Sequence, residues 1–228
     1  IIPAAGFGQR MGVPPAKELL LGSSGFPMIE FALKIGEKLG IPSLVIVRRS
    51  KLELIQYLRE HPLTAKGLLE ILEIDPTPEW SATVLESKSL WADRNVLLLP
   101  DTEFQPPEIV ERMLASRKSL QVAVFKVSDP EKWGIIQNVL EDSFEIAEKP
   151  QNVLKVPGQL ATAWGILGFE KEAGQLLFEG IFRSFMENKK KKAVQSVQEI
   201  RSQNGFQKIS LGLEEFLLES FADLGRKS

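Results

Sequence analysis

The sequence predicts an α/β fold with a mostly parallel central sheet and a small antiparallel elaboration in its second half. Three observations carry this expectation. Short apolar runs alternate with amphipathic stretches as far as Val127. One of these runs, Asn95–Leu99 (NVLLL), is apolar enough for a strand buried on both faces. Beyond Val127, strand candidates follow one another without helices between them.

The elements follow in order. Ile1–Ala5 is a short apolar strand that stops at Gly6, and a glycine-containing loop follows, in which Pro14 and Pro15 forbid an immediate helix. Pro27–Leu39 reads as a helix, with Pro27 in its first turn and Gly40 as its stop. Ser43–Val47 is a β-branched strand. Lys51–Glu60 is an amphipathic helix presenting Leu52, Ile55 and Leu58. Leu69–Ile74 is a strand closed by Asp75-Pro76. Ser81–Asp93 is a helix with Val84, Leu85 and Trp91 near one face, and Asn95–Leu99 the buried strand. Pro107–Arg117 is a helix with Ile109, Val110, Met113 and Leu114 inward, and Leu120–Val127 a strand. Gly134–Leu140, Ser143–Ala147 and Leu160–Phe169 are the antiparallel candidates. Glu170–Asn188 is a long helix, Ala193–Arg201 another, Phe206–Ile209 a short strand, and Leu213–Leu224 a closing helix. The expected organisation is a single domain, 1–228, in two halves, 1–127 and 128–228.

Composition narrows the chemistry. A hydrophobic content of 43% and a charged content of 25% describe a globular chain, and no apolar run is long enough to span a bilayer. With no Cys and one His (His61), thiolate zinc sites, catalytic cysteines and most His-based triads are excluded. The net charge of −2 gives no broad basic footprint for nucleic acid, and the Lys189–Lys192 run reads as a solvated helix end. His61, before Pro62, reads as a solvated turn residue. A soluble, cytoplasmic protein is expected, using Asp, Glu, Lys, Arg, backbone amides and a bound metal. The chain opens at Ile1 inside a strand, so leading residues are expected before it.

Residues 3–17 read PAAGFGQRMGVPPAK. Gly6 and Gly8 just after a strand allow backbone N–H groups to approach a phosphate, and Arg10 and Lys17 add the cations that a triphosphate needs. Two glycines alone would make an ordinary strand-to-loop turn. Met11 stands where a third fingerprint glycine would be, and the prolines deny a helix N-terminus, so this is neither a dinucleotide fingerprint nor a P-loop.

Gly6-Phe7-Gly8-Gln9-Arg10-Met11 followed by Lys17-Glu18-Leu19-Leu20 resembles the start of the sugar-phosphate nucleotidylyltransferases. Pro100-Asp101 after the buried strand, Trp133-Gly134-Ile135, Glu148-Lys149-Pro150 and Thr162–Phe169 (TAWGILGF) are similar to further motifs of that family, in the same order. The resemblance implies a Rossmann-like three-layer nucleotidyltransferase fold, with a nucleotide-binding half (1–127) and a sugar-binding half with C-terminal helices (128–228). It also implies the coupling of a nucleoside triphosphate to a sugar 1-phosphate, giving an NDP-sugar and pyrophosphate. By carry-over it implies Ala5, Gly6, Gly8 and Ser81 on the nucleotide, and Arg10, Lys17 and Lys149 as catalytic cations. It further implies Gly134, Glu148, Lys149 and Trp164 around the sugar phosphate, and Asp101 on Mg²⁺. Neither nucleic acid nor membrane is an expected partner, and self-association is left open.

The sequence departs from the family pattern twice. Ser210 stands where a second metal-binding Asp is usual, and Pro76–Thr83 lacks the glycines and Gln of the base-reading loop. These departures leave open a homologue that binds without turnover. The shared start of the chain leaves open a cytidylyltransferase acting on a non-sugar phosphate, although Glu148-Lys149-Pro150 and Thr162–Phe169 favour a sugar. A nicotinamide-dependent oxidoreductase using Arg48 and Arg49 is disfavoured by the missing third glycine and the two prolines. The base and the sugar are not legible.

Overall fold

The computed structural model describes residues 1–6, 16–22, 24–102, 108–137, 145–148, 160–187, 194–196 and 211–215. The chain forms two compact units, Ile1–Ser116 and Arg117–Ser228. The division falls before the strand at Leu120, which lies in the second unit.

The first unit is a βα alternation. β1 (Ile2–Pro3), β2 (Ser43–Arg48) and β3 (Leu69–Ile74) form a parallel sheet in the order β1-β2-β3. β4 (Arg94–Leu98) runs along the other edge of β1. Ile1 donates to Val96 O at 2.7 Å and accepts from Leu98 N–H at 2.9 Å, the staggered pattern of parallel strands, while neighbouring Ile2 pairs with Val45 of β2. Val45, Ile46, Val47 and Leu97 are buried, as continuous apolar strands covered on both faces must be. Asn95 tolerates its burial because its amide exchanges two hydrogen bonds with the Ala92 backbone, at 3.1 and 2.7 Å.

α1 (Ile29–Leu39) ends where the sequence predicts. Gly40 takes φ 65°, its N–H reaches Glu37 O at 3.1 Å, and Ile41 N–H reaches Gly36 O at 3.0 Å. Gly36 is required for a different reason: a Cβ there would collide with the Ser43 hydroxyl of β2. α2 (Leu52–Glu60) buries Leu54, Ile55 and Leu58, whereas Leu52, expected inward, is 72% exposed in the first turn. α3 (Pro62–Ala65) follows at once. α4 (Trp80–Leu85) is shorter than the expected Ser81–Asp93 helix: the chain turns at Ser87, whose hydroxyl donates to Val84 O and accepts from the Trp91 indole at 2.8 Å. α5 (Glu108–Ala115) buries Ile109, Val110 and Met113.

The second unit is the antiparallel elaboration. β5 (Leu120–Val127), β6 (Gly134–Gln137), β7 (Glu145–Glu148), β8 (Ala161–Glu170), β9 (Val194–Ser196) and β10 (Leu211–Glu215) lie in the order β10-β5-β8-β6-β7-β9. All neighbouring pairs in this order are antiparallel except β10 with β5. Ala123 faces Ile166 and Val124 faces Trp164, so Gly165 is the extra residue of a bulge. α6 (Lys171–Glu187) buries Ala173, Leu177, Phe178 and Ile181, with Phe178 edge-on to Phe169 at 5.2 Å.

Two expected helices are corrected over their described residues. Val194–Ser196 is a strand paired with β7, and Leu211–Glu215 is a strand paired with β5. Strand pairing decides both places: Val194 and Ser196 are weak helix formers, and Leu213–Glu215 pair with Val122–Val124 of β5. Glu214 and Glu215 thus belong to a strand, not to a helix start. The expected strand at Phe206–Ile209 and the Lys189–Lys192 run lie outside the described residues.

Candidate active site

Strand order places the candidate site. From β1 the chain builds outward through β2 to β3, then returns to lay β4 on the opposite edge of β1. The point between β1 and β4, where strand order reverses, is where open α/β sheets leave a ligand crevice at the carboxyl ends of their strands. Ala4–Gly6 leave β1 at that edge, and Pro100-Asp101 follow β4 there. The Ala4 N–H is still tied to Ile46 O at 2.8 Å, and the Ala5 side chain packs with Ile46 and Ile74. Gly6 is exposed, and among the described residues nothing lies within 4 Å of where its Cβ would be.

Lys17 returns to the same edge. Lys17–Leu19 make one 3-10 turn, closed by Leu19 N–H to Ala16 O at 2.8 Å and Leu20 N–H to Lys17 O at 3.2 Å. Met28 N–H donates to Leu20 O at 2.9 Å, which ties this turn to the entry of α1. Lys17 Nζ donates to Asp101 Oδ2 at 2.6 Å, with side-chain exposures of 32% and 39%. Two residues 84 positions apart, singled out separately from sequence, thus form an ion pair at the strand ends.

Sequence reasoning missed the residues beneath this pair. Glu18 is completely buried, and Lys51 Nζ donates to both of its oxygens, at 2.8 and 2.9 Å, and to Ala4 O at 2.7 Å. Burial holds the Lys51 ammonium below its ordinary pKa, and the Glu18 charge opposes that shift. A signal did exist: a Glu embedded in KELLL needs a cation if that segment is buried.

Ser81, expected on the nucleotide, is buried, and its hydroxyl donates to the Glu79 carboxylate. Glu79 also caps α4, accepting from Ser81 N–H at 2.9 Å and Ala82 N–H at 2.8 Å. His61 is not a solvated turn residue. Its Nδ1 accepts from Leu63 N–H at 3.2 Å, so its Nε2 carries the proton and donates to Glu30 Oε1 at 3.0 Å. The Tyr57 hydroxyl donates to the same oxygen at 2.5 Å.

In the second unit, Gly134 is buried and stands directly opposite Glu148 across β6 and β7. Trp164 is buried in β8, two residues before Ile166, and Trp133 stacks edge-on against Phe125 at 5.0 Å. Gly8, Arg10, Lys149 and Ser210 lie outside the described residues.

Asp101 is the carboxylate expected on Mg²⁺. Among the described residues no three His, Cys, Asp or Glu side chains come together as a metal cage. Magnesium ordinarily takes one or two carboxylates and completes its shell with water and substrate phosphates. A single exposed carboxylate at a sheet edge fits an ion that arrives with a nucleotide.

No family model and no curated protein matches the chain. Solved structures do. A Bacillus anthracis protein assigned as a glucose-1-phosphate thymidylyltransferase, solved in complex with a sucrose, superposes with a TM-score of 0.70 at 19% identity, covering 94% of this chain and 85% of that one. A UDP-glucose pyrophosphorylase complexed with UDP-glucose superposes with a TM-score of 0.60 at 19% identity, covering 85% of this chain and 87% of that one. The chain has the fold of the sugar-phosphate nucleotidylyltransferases. The Rossmann-like α/β class expected from sequence is therefore the class observed. Within this fold, the Lys17–Asp101 pair lies where the chain follows the carboxyl end of β4.

Proposed function

We propose that the protein transfers a nucleotidyl group from a nucleoside triphosphate to a sugar 1-phosphate, releasing pyrophosphate. The observation that carries this reading is the meeting of Lys17 and Asp101 at the strand-order reversal beside Ala5 and Gly6. A cation, a carboxylate and the backbone amides of Ala5 and Gly6 at one sheet edge suit a polyphosphate with its counter-ion.

The chemistry needs no protein nucleophile. A phosphate oxygen of the sugar 1-phosphate attacks the α-phosphorus in line. The bond from the α-phosphorus to the bridging oxygen breaks, and pyrophosphate leaves with that electron pair. Both reactants are anions, so positioning and charge neutralisation dominate. Backbone amides of Ala5, Gly6 and Gly8 bind the nucleotide, and Lys17 neutralises charge near the α-phosphate. Arg10 does so on the departing pyrophosphate. Gly134 and Glu148 hold the sugar, Trp164 contributes to the wall of that subsite, and Lys149 orients the attacking phosphate. Asp101 would hold Mg²⁺, which supplies further charge neutralisation when bound. Ser81, with its hydroxyl engaged by Glu79, offers the nucleotide its place at the head of α4 rather than a free side chain. The setting is cytoplasmic, where both substrates are made; no described helix is long and apolar enough to cross a membrane.

A second reading, binding without turnover, draws on Ser210 standing where the family pattern has a second metal-binding Asp, and on the absence, among the described residues, of any group of three His, Cys, Asp or Glu side chains that could hold a metal. Pyrophosphate release by Lys17→Ala and Arg10→Ala separates the two. Loss of one such cation should lower turnover by ~10²–10³, the cost of one transition-state donor. Near wild-type turnover in either variant would remove that residue from the mechanism. Nucleotide-dependent thermal stabilisation without release in the wild type would favour the binding homologue.

A further inference from the structure

Lys17 and Glu18 are neighbours with opposite fates. Lys17 reaches the sheet edge, whereas Glu18 turns inward and is completely buried. The Glu18 carboxylate and the Ala4 carbonyl together offer three oxygens to Lys51 Nζ, at 2.8, 2.9 and 2.7 Å, which uses all three protons of the ammonium. Ala4 lies where the glycine loop leaves β1, and Glu18 lies one residue beyond Lys17, where the chain has returned. Lys51 is itself fixed: its N–H donates to Arg48 O at 2.8 Å, and its carbonyl accepts from Ile55 N–H at 3.0 Å at the head of α2. An apolar side chain could fill this volume, but it could not fix the separation of three oxygens on two different segments. Buried ion pairs return little net stability, so the arrangement is explained better by the geometry it imposes.

We propose that Lys51 is a positioning residue that, through Glu18 and the Ala4 carbonyl, closes the base of the glycine loop and holds Lys17 facing Asp101. The proposal rests on the reading of Lys17 as the phosphate-binding cation, and its test is chosen to fail separately from that reading.

The full chain is compared with the charge-free double variant Lys51→Met/Glu18→Gln. Limiting acylation with an N-hydroxysuccinimide ester, followed by peptide mapping, reports the reactivity of each lysine. Lys17 should label about two- to five-fold faster in the double variant, as expected when a half-exposed ion pair is released, while the other lysines keep their rates. Where turnover is measurable, kcat should fall about 10²-fold, the effect of a misplacement near 1 Å, with KM for the sugar phosphate little changed. A merely structural role would lower the melting temperature without altering Lys17 labelling in the folded protein. Unchanged Lys17 labelling in a cooperatively melting double variant overturns the proposal. Faster labelling alongside a wild type that releases no pyrophosphate supports the positioning role and removes the transferase reading instead. Should the double variant not melt cooperatively, Lys51→Gln/Glu18→Gln gives the same measurement, because it is equally charge-free and keeps polar groups in the buried site. Faster Lys17 labelling there supports the proposal, and unchanged labelling overturns it.

Discussion

Replacing Lys51 alone with Met would test how the buried ion pair bears on folding. The Lys51 side chain is 8% exposed and Glu18 is 0% exposed, so the substitution leaves a carboxylate with neither cation nor water. Breaking a buried pair from one side costs ~3–5 kcal/mol, because the remaining charge is uncompensated. Against a typical stability of ~5–15 kcal/mol that is a large fraction. For a chain of 228 residues, ~2–4 °C of melting temperature is lost per kcal/mol, so Lys51→Met should melt about 6–20 °C lower. The double variant Lys51→Met/Glu18→Gln removes the buried charge and leaves mainly an undonated Ala4 carbonyl, a cost of ~1–3 kcal/mol. Calorimetry and urea titration of the three proteins side by side measure both steps. The reasoning is refuted if the single variant melts within about 2 °C of wild type, or if the double variant is no more stable than the single.

Two further outcomes are expected. In α6, a Cβ on Gly174 would overlap the Phe169 ring, which is 1% exposed; Gly174→Ala should therefore cost ~1–3 kcal/mol from overpacking, even though Ala is the better helix former by ~1 kcal/mol. A urea midpoint equal to or above wild type would contradict this. The Tyr57 phenol is pushed above its ordinary pKa of 10.0, first by burial and then by its hydrogen bond to Glu30. The folded phenol keeps its proton while the unfolded one ionises. Its contribution to stability is therefore complete below pH 10.0 and is lost as the pH rises above it. Because Tyr57 is the single tyrosine of the chain, its alkaline absorbance change reports this directly. Ionisation of the folded protein at the ordinary value, or an equal alkaline loss of stability in Tyr57→Phe, would be the contrary result.

The parts of the fold that local chemistry dictates were legible in sequence. Leu69–Ile74 is a strand with the bounds its pattern implies, and Gly40 ends α1 by adopting the left-handed conformation that a glycine stop suggests. Leu52 was misplaced because helical spacing does not reveal which of two overlapping apolar stripes, 52-55-58 or 54-55-58, meets the sheet. The short strands at Val194 and Leu211 depend on distant partners, β7 and β5, which no local pattern identifies. At the candidate site, Lys17 and Asp101 stand out in the sequence because each belongs to a motif, and the fold brings them into an ion pair. Glu18 and Lys51 do not, since a Glu and a Lys separated by 33 residues look like ordinary surface charges until burial is known. Ser81 illustrates the converse. Its hydroxyl lies within the segment where the family reads the base, and the sequence does not show that the neighbouring Glu79 carboxylate engages it.

The most direct test of the central claim is pyrophosphate release with Mg²⁺ across a grid of nucleoside triphosphates and sugar 1-phosphates, with Asp101→Ala beside the wild type. The account predicts release for at least one pair, naming base and sugar together, and its loss in Asp101→Ala. Release that survives unchanged in the variant would contradict the role of Asp101, and silence across the whole grid would contradict the assignment as a sugar-phosphate nucleotidyltransferase.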